Sequence, residues 1–244
     1  MRRIKLVLDY LGTRFCGWQI QPGKDTVQQR LETALEKLTG EKISVVASGR
    51  TDSGVHAMAQ TVHFDTQTDF DLVAYVRGTN NYLPEDIRVL KAQEVSDRFH
   101  ARFDAVKKTY MYRLYVADED RAIYHNKAVR VNTELDLDAI NSACKLLEGE
   151  HDFTSFMSCG SEVKSTVRTI FEAKAEKING EYYFFFTANG FLYNMVRKMS
   201  ACLIRIGQGK MQVDEISKHL LNPSKTALTL VAPACGLYLY SVEY

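Results

Sequence analysis

Residues 4–10 alternate apolar and polar positions and are rich in Leu, Val and Ile, which predicts a first strand. Residues 11–24 read as a loop. Asp25 or Thr26 then caps a helix, with Gln28 or Gln29 completing a capping box. Val27, Leu31, Ala34, Leu35 and Leu38 recur at helical spacing, and Gly40 stops the helix. A strand over 43–46, a polar turn, a strand over 60–66, a helix over 72–82 stopped before Pro84 and a strand over 87–94 follow. The order strand, helix, strand, strand, helix, strand is that of a ferredoxin-like unit, an antiparallel sheet with both helices on one face.

The pattern then restarts. Residues 108–116 form a strongly aromatic strand, and 138–147 a helix with Ile140, Ala143, Cys144 and Leu147 on one stripe and Gly149 as terminator. Strands over 167–177 and 181–188 meet at Ile178-Asn179-Gly180, where Asn-Gly is a strong hairpin signal. Residues 191–206 read as a helix with Leu192, Met195, Val196, Met199, Leu203 and Ile206 buried. A short helix over 213–221 and a last strand over 236–242 complete the chain. The expected fold is α+β, two fused ferredoxin-like halves over 1–104 and 105–244. A continuous, mainly antiparallel sheet, helices on one face and an active-site cleft between the halves complete the expectation.

The composition, 45% hydrophobic and 25% charged over 244 residues, suits a globular protein with a sizeable core. No apolar run approaches the roughly 20 residues that span a bilayer, and the N-terminus lacks a signal-peptide core, which reads as cytoplasmic. Five scattered cysteines without a Cys-x-x-Cys pair argue against a disulfide framework or a structural zinc site.

Chemistry concentrates in Ser48-Gly49-Arg50-Thr51-Asp52-Ser53-Gly54-Val55-His56-Ala57, a polar turn between two strand-like runs. Glycines on both sides let the turn present the Asp52 carboxylate. That group has a reference pKa of about 3.9, and the Arg50 charge nearby favours its ionised form. It suits a nucleophile or a base; a residue that merely closes an Asx-turn has the same local pattern. The net charge is only +1, yet five basic residues (Arg98, Arg102, Lys107, Lys108, Arg113) face one acid over 98–113. Four more (Arg197, Lys198, Arg205, Lys210) face none over 182–213. Aromatics are interleaved with both sets. This suits a partner carrying phosphates and bases, though core strands with a solvated charged face read the same way.

Several segments, in order along the chain, resemble the TruA-type tRNA pseudouridine synthases. They are Phe15-Cys16-Gly17-Trp18-Gln19-Ile20-Gln21-Pro22, Thr26-Val27-Gln28, the Asp52 turn, Phe99-His100-Ala101-Arg102 and Lys108-Thr109-Tyr110-Met111-Tyr112. Later come His151-Asp152-Phe153-Thr154-Ser155-Phe156, Gly190-Phe191-Leu192-Tyr193-Asn194-Met195-Val196-Arg197 and Ala232-Pro233-Ala234-Cys235-Gly236-Leu237-Tyr238-Leu239. Departures are mild: Ser53 stands where Ala is common, Cys16 where a tyrosine is frequent, and Ser200-Ala201-Cys202 where Gly-Thr often follows the arginine helix.

The resemblance implies isomerisation of uridine to pseudouridine at positions 38, 39 and 40 of the tRNA anticodon stem-loop, without metal or cofactor, by a homodimer. It places the catalytic aspartate on Asp52, as nucleophile toward sugar or base or as the base that takes the ribose C2′ proton. Arg50 becomes the residue that helps extrude the target base, Tyr110 the active-site tyrosine and Arg197 the arginine that pairs with the catalytic carboxylate. Arg102, Lys107 and Leu237 are further substrate-binding candidates. Two rivals remain open on the residues themselves: an inert RNA-binding protein whose sheet aromatics stack bases, and a glycosidic hydrolase, which normally needs two facing carboxylates where only one stands out here.

Overall fold

The structure, a computed structural model, describes residues 1–160 and 163–244. Its elements run β1 (Arg2–Tyr10), α1 (Val27–Thr39), β2 (Val46–Ala47), β3 (His56–Thr66), α2 (Leu72–Tyr82), β4 (Ile87–Val95), β5 (Lys107–Val116), β6 (Val129–Val131), α3 (Leu137–Leu147), β7 (Gly149–Asp152), β8 (Val167–Ile178), β9 (Glu181–Ala188), α4 (Met195–Gly207), α5 (Glu215–Leu221) and β10 (Leu237–Glu243). They group into two compact units, Met1–Val106 with Tyr238–Tyr244, and Lys107–Leu237. The fold class is α+β.

In the first unit β1 lies antiparallel between β3 and β4. Ile4, Leu6, Leu8 and Tyr10 are buried, as the period-2 pattern requires. The edge of β3 away from β1 is shared by two partners. Val46 and Ala47 pair antiparallel with His63 and Val62, whereas Tyr238 and Leu239 pair parallel with His56 and Ala57. Chain order assigns the last strand to the second half; this parallel pairing puts its residues from Tyr238 onward in the first unit.

The Thr26 hydroxyl accepts from Gln29 N to cap α1, and Gly40 ends the helix at φ +74. Val27, Leu31, Ala34 and Leu35 are buried. Helix α2 packs closely on α1, for a Cβ added at Gly78 would lie 2.5 Å from Leu38 Cδ1. The strand expected over 43–46 is nearly absent. Ile43 and Val45 are buried, but Val45 N donates to the Glu32 carboxylate at 2.9 Å, so only Val46 and Ala47 join the ladder.

The second unit is a sheet in which β9 lies antiparallel between β5 and β8, with β7 antiparallel on β8 and β6 parallel on β5. Asn179 (φ +52) and Gly180 (φ +83) supply the two left-handed residues of the tight β8–β9 turn. Tyr182, Phe184 and Phe186 of β9 are buried, as are Ile140, Cys144 and Leu147 of α3 and Met199 and Leu203 of α4. The apolar spacing over 191–206 predicts a helix four residues too long at its start. Asn194 sits at φ +59, and α4 begins only at Met195 although Leu192 is buried. Strands β6 and β7 lie where no strand is expected.

Candidate active site

The Asp52 turn is set by buried contacts on either side of the carboxylate. Thr51 is buried, and its hydroxyl lies 2.7 Å from that of Tyr10 on β1. The Thr51 carbonyl accepts from Trp18 N at 3.0 Å, and the Asp52 carbonyl accepts from Val55 N at 3.1 Å, closing a turn in which Gly54 takes φ +77. Beyond the turn, Gly12 N donates to Nδ1 of the fully buried His56 at 2.9 Å, and the His56 ring lies on that of Tyr238 with centroids 4.6 Å apart. Before it, Ser48 Oγ donates to Gln60 Oε1 at 2.7 Å while Gln60 Nε2 donates to the Gly49 carbonyl at 2.9 Å. Asp52 is half-buried, and Arg50 is exposed.

The loop over 11–24 backs this turn, and two of its three glycines, Gly12 and Gly17, stand where nothing larger fits. A Cβ on Gly12 would lie 1.9 Å from the Val55 carbonyl oxygen. One on Gly17, at φ +85, would lie 2.8 Å from the Thr51 oxygen. Sequence reasoning leaves Tyr10, Gly12, Gly17 and His56 unassigned. The loop's three glycines are the local signal, and the sequence does not distinguish Gly12 and Gly17, which meet the turn, from Gly23, which meets nothing.

In the second unit Tyr110, on β5 opposite Phe186, is half-buried, with its ring edge-on to Phe191 at 5.0 Å. Tyr112, two residues on, is fully buried and donates its hydroxyl to the Pro233 carbonyl at 2.8 Å. Burial pushes its phenol well above the ordinary range. Arg197 is half-buried on the first turn of α4; its Nε donates to the Ala232 carbonyl at 2.7 Å and its Nη1 to Asn194 Oδ1 at 2.8 Å. Ala232 N donates back to the Arg197 carbonyl at 3.1 Å. Asn194 Nδ2 in turn donates to Ser158 Oγ at 3.2 Å. Two donors of the planar fork are thus engaged with described residues. Leu237, at the start of β10, is buried. Asp52 and Arg50 therefore belong to the first unit, and Tyr110, Arg197 and Leu237 to the second.

A family model described as tRNA pseudouridine synthase matches residues 6–104 and 143–244. The tRNA pseudouridine synthase A of Maridesulfovibrio salexigens is 43% identical, covering 100% of this chain and 91% of that one. The chain belongs to the tRNA pseudouridine synthase family. The synthase A of a Geobacillus strain is also 43% identical, covering 100% of this chain and 98% of the other, and that of Nitrosomonas europaea is 44% identical, covering 99% and 89%.

For a tRNA pseudouridine synthase the two basic stretches need sorting, because their charges do different work. Arg113 pairs with Glu181 through Nε and Nη2 at 2.6 and 3.0 Å, and this bond holds the Glu181 carboxyl below its usual range. Lys198 is buried, with Nζ donating to the carbonyls of Leu228 (2.7 Å), Met157 (2.9 Å) and Ser155 (3.4 Å), and desolvation lowers its pKa. These two brace the fold. Arg98, Arg102, Arg205 and Lys210 are exposed, and Lys107 lies over the Phe171 ring at 5.5 Å. Of the two basic stretches, Arg98, Arg102, Arg205 and Lys210 are therefore the charges open to solvent, while Arg113 and Lys198 are taken up by the fold.

Proposed function

We propose that the protein isomerises uridine to pseudouridine at positions 38, 39 and 40 of the tRNA anticodon stem-loop, with Asp52 as the catalytic carboxylate. The observation that carries this reading is the Asp52 turn. Residues 51 and 55–56 are tied down by buried hydrogen bonds and glycine-close packing, while the carboxylate between them stays half-exposed. A residue that served only to reverse the chain would gain nothing from so much support. A reacting group does, since small displacements of a catalytic atom cost large factors in rate.

In this reading a target uridine leaves its stack, with Arg50 filling or guarding the space it vacates. Asp52 acts on the extruded nucleoside to break the N1–C1′ glycosidic bond; the freed uracil turns, carbon 5 bonds to C1′ and gives up its proton, and N1 ends protonated. Tyr110 offers a ring for the uracil to lie on and a hydroxyl to hydrogen-bond. Arg197, whose Nε and Nη1 are anchored, is the arginine that the family resemblance pairs with the catalytic carboxylate, a partner that would keep it ionised. Arg102 and Lys107 contact phosphates, and Leu237 lines the base site. The protein works as a homodimer in the cytoplasm and needs no metal or cofactor, as the family resemblance implies.

The test is Asp52→Asn, which keeps size and turn preference but removes the charge and most of the basicity. Unmodified tRNA is incubated with each protein, and pseudouridine is mapped by carbodiimide labelling and primer extension across the anticodon arm. The expected result is no product from the variant, with thermal unfolding and tRNA affinity near wild type. Product at the wild-type rate would remove Asp52 from the chemistry. Wild-type protein that binds tRNA without modifying it would favour an RNA-binding role.

A further inference from the structure

Residues 99–104 of the first unit form a short tip whose backbone is almost completely committed. Phe99 N donates to the Ser96 carbonyl at 3.0 Å, and the Phe99 carbonyl accepts from Arg3 Nη1 at 2.9 Å. His100 N donates to Asp104 Oδ2 at 2.8 Å, and the His100 carbonyl accepts from Asp104 N at 3.0 Å. Ala101 N donates to Nδ1 of His63 at 3.1 Å, and the Ala101 carbonyl accepts from the Tyr244 hydroxyl at 2.8 Å. The next two amides, of Arg102 and Phe103, both donate to Nδ1 of His100 at 3.2 Å. Two imidazoles, with centroids 5.1 Å apart, thus cradle three successive N–H groups, while Ala101 is fully buried beneath them.

This rigid mount presents an apolar ring to water. Phe103 is 74% exposed, with its ring stacked on His100 at 4.3 Å and 26° and the Arg102 guanidinium carbon 5.7 Å from its centroid. Leaving a phenyl ring so open brings no benefit to folding. A backbone already fixed also loses little entropy when a partner arrives. The charges beside the ring decide the kind of partner. Asp97 and Asp104 are exposed nearby but accept from Ser96 and from the His100 amide, whereas the Arg102 guanidinium lies against the ring itself, and a cation next to an open ring suits a base with its adjoining phosphate.

We infer that Phe103 is a stacking platform for an unpaired base of the bound tRNA, positioned by His63 and His100, with Arg102 engaging a neighbouring phosphate. The inference rests on the tRNA reading above and adds to it a base-contacting residue outside the catalytic set.

The experiment uses full-length protein and tRNA transcripts carrying 2-aminopurine at unpaired anticodon-loop positions, one position per transcript. Phe103→Ala is expected to weaken binding roughly 5- to 100-fold and to abolish the fluorescence quench seen with wild type at one position. Phe103→Trp is expected to restore both, which rules out simple misfolding. Arg102→Gln is expected to keep the quench and to lower the slope of log affinity against log salt by about one. Unchanged affinity and quench in Phe103→Ala would overturn the platform. So would unchanged tRNA affinity with a lower sedimentation mass, which would mark the tip as a protein–protein contact. Wild-type protein that makes no pseudouridine would overturn the functional reading itself, whereas a working wild type with an indifferent Phe103 overturns only the platform.

Discussion

The hydroxyls of Tyr10 and Thr51 lie 2.7 Å apart in the interior of the first unit, one residue upstream of Asp52. Burial raises the Tyr10 phenol far above its ordinary range, so it remains a neutral hydrogen-bonding group at any working pH. It also interacts with Gln60, which connects it to Ser48 and Gly49 on the entry side of the turn. Tyr10→Phe keeps the ring and removes the link, leaving the Thr51 hydroxyl buried without this partner. We expect a loss of about 1–3 kcal/mol in urea unfolding. We also expect a lower single-turnover rate at saturating tRNA with little change in affinity. A variant with wild-type turnover would mean that the carboxylate is placed independently of Thr51.

Two glycines of the same loop make a matched comparison. Gly17 (φ +85) faces the Thr51 carbonyl, and an added Cβ would sit 2.8 Å away; Gly23 (φ +67) has nothing within 4 Å. Gly23→Ala should cost only the left-handed backbone penalty, about 1 kcal/mol. Gly17→Ala should cost that and a further ~1–3 kcal/mol for the displaced turn, and should slow pseudouridine formation where Gly23→Ala does not. Melting curves and single-turnover assays on the pair check this.

Arg197 braces the start of α4 whatever its part in the proposed reaction. Arg197→Met would leave the Ala232 carbonyl and Asn194 Oδ1 without their donors. The expected outcome is a destabilisation of roughly 1–3 kcal/mol together with a fall in turnover larger than the fall in tRNA affinity. Chemical denaturation and single-turnover rates, measured on one preparation, separate the two contributions. A stability loss with unchanged turnover would leave Arg197 as a brace for α4 only.

Acid should destabilise the first unit through His63. Burial, with smaller contributions from the Arg3 charge and His100 and against the opposing pull of Asp65 and Asp104, lowers its pKa from 6.5 to about 4. Between those values the unfolded chain binds more proton than the folded one, so stability rises with pH across this window and is lost as pH falls through it. The slope is at most ~1.4 kcal/mol per pH unit. Asp65, whose carboxyl Arg3 holds low, adds its own loss only further into acid. His63→Asn should flatten urea-derived stability between pH 6.5 and 4.5, and an unaltered slope would assign the acid sensitivity elsewhere.

Phosphate contacts are testable by comparing cations within one stretch. Lys210→Gln, at an exposed site, should flatten the salt dependence of tRNA affinity with a stability change below about 1 kcal/mol. Lys198→Met should do the reverse, since its ammonium bonds three carbonyls inside the protein. Filter-binding titrations across salt and thermal unfolding give both readouts.

What the sequence determined by itself was whatever short-range chemistry can settle. The Thr26 cap, the Gly40 stop, the α2 span from Leu72 to Tyr82 and the Asn179-Gly180 hairpin all follow from residues within a few positions of one another. The Asp52 turn was legible for the same reason, as was the family, through motifs spread along the chain. Tertiary structure decided what depends on distant partners. Glu32 takes the amide of Val45 and cuts β2 short, Asn194 adopts a left-handed backbone that delays α4, and the last strand pairs with β3 across most of the chain length. It also decided which cations face outward. Lys198 and Lys210 are alike in a sequence, but one meets three carbonyls and the other meets water. The local pattern carries backbone propensity and apolar period. The partner of a hydrogen-bonding or charged group is set by where the folded chain brings another such group, and spacing along the sequence does not contain that.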